Sequence, residues 1–194
     1  MLKFWFGEDD PGLHYPKSRS AMWFRKGRDY DAEISRKFAG LHRQACAGKL
    51  NHWLKTPEAR LAIIILLDQF SRHIYRETAR AFAQDKQAQA IVLEGIEKQH
   101  DLLLKPVEKV FFYFPLEHAE NKELQALSIR KFQALVAELP ADIQPEYAST
   151  LNFAIRHKAI IDRFGRFPDL NAILGRQSSA DEIAFLSRPG SSFL

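Results

Sequence analysis

The chain has 194 residues, of which 46% are hydrophobic and 27% are charged. These shares are typical of a folded globular protein and exclude a disordered or fibrous chain. The formal net charge is +4, and basic residues alternate with acidic ones, so we expect no nucleic-acid partner. The longest apolar run, LAIIILL at 61–67, is far shorter than the ~20 residues that cross a bilayer, so we expect no membrane span.

Cys46 is the single cysteine, which excludes an internal disulfide and a thiolate zinc cage. A chain with so few thiols fits a reducing compartment. The N-terminal sequence MLKFWFGEDD lacks the apolar segment and cleavage site of a signal peptide. We therefore expect a cytoplasmic protein.

The chain predicts an all-α fold, because long stretches follow the 3.6-residue period and period-two alternation is almost absent. Residues 1–18 contain Pro11 and Pro16 and are expected to form an irregular arm. Residues 61–67 are apolar on every side, so their helix should be central and enclosed by the others. Helices are predicted at 19–25, 29–47, 56–76, 84–100, 121–138 and 146–164, with a short last helix after Ser179.

Several helix ends carry local signals. Thr56 is expected to cap the central helix with its side chain, and Pro57 then takes the first helical position, where its missing N–H costs nothing. Gly165 should end the last long helix, and Ser179 with Glu182 has the spacing of a capping box. No linker divides the chain, so we expect a single domain over residues 1–194.

Asp68 lies on the same helical stripe as Leu61, Ile64 and Ile65, so its carboxylate should be buried. A buried carboxylate needs a partner, and Arg72 stands four residues later, where an ion pair can form. Such a pair fits two roles, a structural lock between helices or part of a ligand site.

The stretch FFYFPLEHAEN at 111–121 places three candidate proton-transfer groups after a rigid aromatic and proline segment: Glu117, His118 and Glu120. Histidine beside carboxylates can move protons near neutral pH. The same residues could equally be surface charges near a helix start. His157 falls on an apolar stripe of the last long helix and is expected to be a core histidine.

The loop RFGRFPDLNAILGR at 163–176 holds three arginines in a frame stiffened by Gly165 and Pro168. Guanidinium groups held in this way bind carboxylates and phosphates well. We therefore expect the arginines to face a cleft shared with the candidate proton-transfer groups; the arginines are Arg163, Arg166 and Arg176.

Motifs of common cofactor and metal sites are missing from the chain. There is no glycine-rich phosphate loop, no G-x-S-x-G and no H-E-x-x-H. Glu97 and His100 have the E-x-x-H spacing of di-iron bundles, but a second copy and its companion glutamates are missing. The sequence therefore predicts no metal site and no cofactor.

Five segments together resemble the bacterial domain-of-unknown-function family nine-two-four: LDQFSRHIYR, AFAQD, FYFPLEHAE, HKAIIDRFGRFPDLN and LGRQSSADEIAFL. The resemblance covers nearly the whole chain. It implies an all-helical fold of antiparallel helix pairs around a central buried helix, similar to tetratricopeptide-type arrays. It implies no established activity.

The polar positions of the family pattern match here at Asp68, Gln69, Arg72, Arg76, Glu117, His118, Glu120, His157, Arg163, Arg166, Asn171 and Arg176. Two departures matter. Asp169 and Leu170 stand where the family commonly has histidine and arginine, and Ser71 and His73 stand where proline and asparagine are usual. A reaction that required the first pair would be impaired in this member.

Three functions remain open on the sequence. The first is a binding protein that holds a small phosphate- or carboxylate-bearing molecule in a polar pocket. The second is a protein-interaction scaffold in which the cluster is a structural ion-pair network, and the third is a hydrolase or transferase of unknown substrate that uses the proton-transfer candidates. A buried, mutually paired cluster favours the scaffold, whereas an open concave one favours a ligand or an enzyme. The expected ligand residues are Asp68, Arg72, Glu117, His118, His157, Arg163, Arg166, Asn171 and Arg176.

Overall fold

The computed structural model describes residues 1–8, 12–24 and 27–191, and within these ranges the regular elements are all helical. The all-α prediction is therefore confirmed. The α-helices are α1 (Leu2–Phe6), α2 (Lys17–Phe24), α3 (Asp31–Cys46), α4 (Pro57–Ile65), α5 (Ser71–Ile74), α6 (Asp85–Glu97), α7 (Pro106–Glu117), α8 (Lys122–Glu138), α9 (Gln144–Phe164) and α10 (Ala180–Leu186). Arg25, the last residue of one predicted helix, lies outside the described residues.

The centre of the molecule is a continuous rod formed by α4, a π-helical turn at Leu66–Phe70 and α5. Every residue of 61–67 is at most 4% exposed, as the all-round apolar sequence predicts. A π-turn widens the helix by one residue and frequently occurs at functional sites. Asp68 lies within this turn.

Helix α7 is a finding that the sequence analysis did not predict, because Pro115 lies inside it. Proline removes one helical hydrogen bond and normally breaks a helix. Here the apolar side chains of Val110, Phe111 and Phe112 are completely buried, and α7 packs against α4, α6, α8 and α9. This burial outweighs the local cost and carries the helix on to Glu117.

The helices that follow α7 pack in sequence, α7 against α8 and α8 against α9. Helices joined by short loops and packed in this way form helical hairpins. Asn121 begins α8 by accepting a hydrogen bond from the Leu124 amide at 2.8 Å. A tetratricopeptide-type repeat stays a prediction.

The expectation of an irregular arm over residues 1–18 is wrong at its start, where Leu2–Phe6 is helical. Trp5 is fully buried, and its ring meets Phe70 and Phe111 edge-on at centroid distances of 5.3 and 5.4 Å. The apolar side chains of α1 thus cover the core beside the π-turn, which stabilises a short helix that local propensity alone would not. Residues 9–11 of this segment lie outside the described residues.

The predicted helix ends are confirmed with one exception. Gly165 ends α9 in the left-handed conformation with φ 72, and Ser179 starts α10 with a complete capping box. The Thr56 side chain does not cap α4; its backbone carbonyl accepts from Arg60 N at 3.0 Å instead. Among the described residues, the helices are too short or too polar to span a bilayer.

Candidate functional site

A cleft of about 1200 Å³ opens beside the central rod. Its walls come from α2, the π-turn and α5, the C-terminal end of α7, the middle of α9 and the segment after α9. Polar groups concentrate where the π-turn meets α7. The side chains that matter below are Gln69, Arg72, Glu117, His118 and His157, all of which line the cleft.

Asp68 lies directly behind this polar wall and is fully buried. Its Oδ1 is 2.8 Å from His118 Nδ1 and 3.1 Å from Arg72 Nη1, and its Oδ2 accepts a hydrogen bond from Gln69 Nε2 at 2.7 Å. Burial opposes ionisation, but the Arg72 charge and the His118 contact outweigh it and hold the pKa of Asp68 well below its usual value. The prediction of a buried Asp68 paired with Arg72 is confirmed.

The Asp68 contact fixes the tautomer of His118. An ionised carboxylate has no hydrogen to give, so His118 Nδ1 must be the donor of the 2.8 Å hydrogen bond. In the neutral ring Nε2 then carries the lone pair. The His118 side chain is 20% exposed and lines the cleft. This arrangement presents an oriented base to a bound molecule.

Arg72 is held from two sides. Its Nη1 and Nη2 donate to the two carboxylate oxygens of Asp85 at 3.0 and 3.1 Å, and Nη1 also donates to the Asp68 carbonyl at 2.9 Å. Its guanidinium lies 5.3 Å from the centre of the Phe82 ring. Two protein carboxylates therefore neutralise this arginine, which reduces its attraction for an added anion.

Glu117, the last residue of α7, is 3% exposed. Its Oε1 lies 3.2 Å from His157 Nδ1, and its Oε2 has no hydrogen-bond partner among the described residues. Burial, with a further contribution from the Asp68 charge, raises the pKa of Glu117 to about 8. Glu117 is therefore a neutral carboxylic acid at pH 7, with a proton to donate.

His157 is buried, as expected, but it also lines the cleft. Its Nδ1 donates to the Phe153 carbonyl at 2.8 Å, which leaves Nε2 as the unprotonated nitrogen. Burial lowers the pKa of His157 to about 3, so the ring is neutral. Its ring centroid is 6.3 Å from that of His118, so the two histidines are neighbours in the cleft wall.

The predicted convergence of all three loop arginines on a cleft with Glu117 and His118 is wrong, although Arg176 does meet Glu120, the third predicted partner. Arg166 donates to both oxygens of Glu182 at 2.7 and 2.8 Å, and Arg176 donates to both oxygens of Glu120 at 2.7 and 2.9 Å. None of these four residues lines the cleft that the described residues form. The capping-box spacing indicates only a helix start for Glu182, but the segment after α9 folds back so that Glu182 also neutralises Arg166.

The two remaining loop candidates also lie outside the cleft. Arg163 stacks over Phe164 and Phe185, with its guanidinium 4.6 and 5.8 Å from their ring centres. Asn171 is buried and accepts from Arg176 Nε at 2.9 Å. These contacts fasten the C-terminal segment to α9, so they provide a structural role for the loop.

Some cleft residues were not recognised as a group from the sequence. Asp31 binds His73 Nδ1 at 2.8 Å and Arg76 at 2.5 and 2.6 Å, and both partners line the cleft. Asp169 and Leu170, which form the first of the two departures from the usual family sequence, line it as well. The departure at Asp169 and Leu170 is the sequence signal for this part of the cleft wall. Residues that differ between members of a family can change which ligand a shared cleft binds.

The chain belongs to the family described as "Bacterial protein of unknown function (DUF924)", whose model matches residues 1–190. Its structure is similar to that of ATU0120, a protein of unknown function from Agrobacterium tumefaciens, with 33% sequence identity and a TM-score of 0.78. That alignment covers 88% of this chain and 91% of the other. No curated protein matches the chain.

Proposed function

We propose that the protein is an enzyme of the hydrolase or transferase class, which binds a small molecule in the cleft and uses His118 as its base. The 2.8 Å hydrogen bond from His118 to the buried Asp68 carries the proposal. It orients the ring at the wall of a cleft large enough for a metabolite, since ligand sites commonly have volumes of about 300–1000 Å³.

Glu117 supports the same function. A base that takes a proton works best with an acid that returns one. Acid–base sites typically contain two titratable groups whose surroundings push their pKa values apart. Glu117 is the protonated group. The next residue, His118, contacts the ionised Asp68. Glu120, the third candidate for catalysis, binds Arg176 and the Phe167 amide and has no part in this proposal.

The ion-pair cluster around Asp68 favours an enzyme over a scaffold, because the buried Asp68 orients His118 and the His118 side chain lines the cleft. A small anionic ligand, which the sequence predicts, would find two carboxylates beside Arg72. Two further arginines of the cleft are neutralised in the same way, Arg28 by Glu77 and Arg76 by Asp31. The polar end of the cleft, at Glu117 and His118, is therefore suited to an uncharged polar group.

A comparison of metabolite consumption tests the proposal. Wild-type protein and the His118→Asn variant are incubated with a bacterial small-molecule extract, and mass spectrometry measures which compounds disappear. We expect at least one compound to be consumed by the wild type and spared by the variant. His52→Asn, which changes an exposed histidine outside the cleft, should behave as wild type. A wild-type protein that consumes nothing beyond what His118→Asn consumes contradicts the proposal.

A further inference from the structure

Glu117 has an unusual position in the cleft wall. The residue is 3% exposed, yet its Oε2 finds no hydrogen-bond partner among the described residues. A buried polar atom without a partner destabilises the folded protein, so it calls for a functional explanation. A partner supplied by a bound molecule would remove this cost.

The surroundings of Glu117 determine what that partner must be. Asp68 on the π-turn is ionised, His157 on α9 is neutral, and Tyr15, from the segment before α2, has a pKa that burial raises to about 12. A negative group of the ligand would lie near the Asp68 charge. An uncharged oxygen or nitrogen that accepts a hydrogen bond meets no such repulsion.

The rest of the cleft is strongly aromatic. Six aromatic side chains line it: Tyr15, Trp23, Phe82, Phe114, Phe153 and Phe167. Aromatic walls favour planar or apolar groups through burial and ring stacking. The cleft therefore combines an apolar wall with a polar end.

We propose that Glu117 donates a hydrogen bond from its carboxylic acid to the carbonyl or leaving atom of an uncharged ester or amide that carries an aromatic or apolar group. This inference rests on the proposed function and names its substrate class. In hydrolysis, His118 takes a proton from water as the water oxygen bonds to the carbonyl carbon. The bond to the leaving oxygen or nitrogen then breaks, and Glu117 supplies the proton to that atom. The proton on His118 passes through solvent to Glu117, which restores both groups.

Binding of benzamide tests the donor role without requiring the natural substrate. Benzamide has an aromatic ring and an uncharged carbonyl, benzoate replaces the amide by a charge, and toluene has no acceptor. Saturation-transfer NMR gives the dissociation constant of each probe for wild type, Glu117→Gln and Glu117→Leu. Glutamine keeps a neutral donor at this position, whereas leucine removes it. Glu123→Gln, on the exposed surface of α8, is the matched control.

At pH 6.5 we expect wild type and Glu117→Gln to bind benzamide with similar affinity, at least tenfold tighter than either reference probe. Glu117→Leu should lose about tenfold. At pH 9 the wild type should weaken about tenfold, because a group with a pKa of about 8 keeps its proton in only about a tenth of the molecules, and Glu117→Gln should not change. The other titrating groups are common to both proteins and cancel in this comparison.

Equal binding of benzamide and benzoate would overturn the inference, and so would full affinity in Glu117→Leu. A wild-type pH profile that matches that of Glu117→Gln would overturn it without relying on the leucine variant. If metabolite consumption nevertheless depends on His118, the proposed function stands and only the substrate class fails. If benzamide binds as expected while no turnover depends on His118, the cleft is a binding site and the proposed function fails.

Discussion

Replacing Asp68 with alanine should destabilise the protein by about 3 kcal/mol. Removing one member of a buried ion pair generally costs about 3 to 5 kcal/mol, because the remaining charge stays buried without its partner. Arg72 keeps two hydrogen bonds to Asp85 at 3.0 and 3.1 Å, and the His118 side chain is 20% exposed, so water can reach it. Both features place the expected loss at the lower end of that range.

Urea unfolding at pH 7, followed by circular dichroism, measures this loss as a lower midpoint at an unchanged slope. The control is Asp162→Ala, which removes an i,i+4 pair with Lys158 whose side chains are 46% and 30% exposed. That change should cost less than about 0.5 kcal/mol. A loss below about 1 kcal/mol for Asp68→Ala would mean that Asp68 behaves as a surface ion pair, and the account of the buried cluster would be wrong.

Further predictions concern packing, the loop, pH and nucleic acid. Gly95→Ala should cost about 1–3 kcal/mol in urea unfolding, because a Cβ there would lie 2.6 Å from Arg60 Cδ; an unchanged midpoint contradicts this. Glu120→Gln should lower the thermal midpoint by weakening the bond to Arg176 but leave His118-dependent turnover unchanged, and lost turnover at full stability would refute the structural role. Burial holds His157 neutral, so the stability it contributes is present above pH of about 6.5 and is lost as the pH falls toward about 3. The unfolding free energy of wild type minus that of His157→Gln should therefore fall by up to ~1.4 kcal/mol per pH unit in that window, and a constant difference would show that His157 does not titrate in this way. Binding to DNA should be weak, and submicromolar affinity at physiological salt would overturn that expectation.

The Asp68–Arg72 pair could be predicted because it depends on one helix. Helical periodicity places the carboxylate on the buried stripe and the arginine one turn later. The π-turn that brings Asp68 toward His118 could not be predicted in the same way. It depends on how α7 packs against the rod, which the sequence pattern does not specify.

Helix α7 and the loop show where sequence reasoning failed. Pro115 is a strong local signal against a helix, and only the burial of the neighbouring aromatic residues reverses it. The loop contains arginines in need of acceptors, but which acceptors they find depends on the return of the chain after α9. Glu182 is sixteen residues from Arg166, and no periodic pattern links the two.

The protonated state of Glu117 was equally inaccessible from the sequence. Its carboxylate was recognised as a candidate beside His118, but a free glutamate would be ionised at neutral pH. Its raised pKa arises from burial among several elements and from the nearby Asp68 charge. The sequence pattern thus indicates the residue, whereas its chemical role depends on the folded structure.

The claim that the cleft holds a protonated acid beside an oriented base is tested most directly by titrating Glu117 itself. Glutamate labelled with carbon-13 at the side-chain carboxyl gives one NMR signal for each residue, and the signal missing from Glu117→Gln identifies this one. We expect its midpoint at a pH of about 8, because burial and Asp68 disfavour the charged form. A midpoint near the ordinary glutamate value of 4.5 would mean that Glu117 is ionised at neutral pH and has no proton to donate, which contradicts the proposed division of roles.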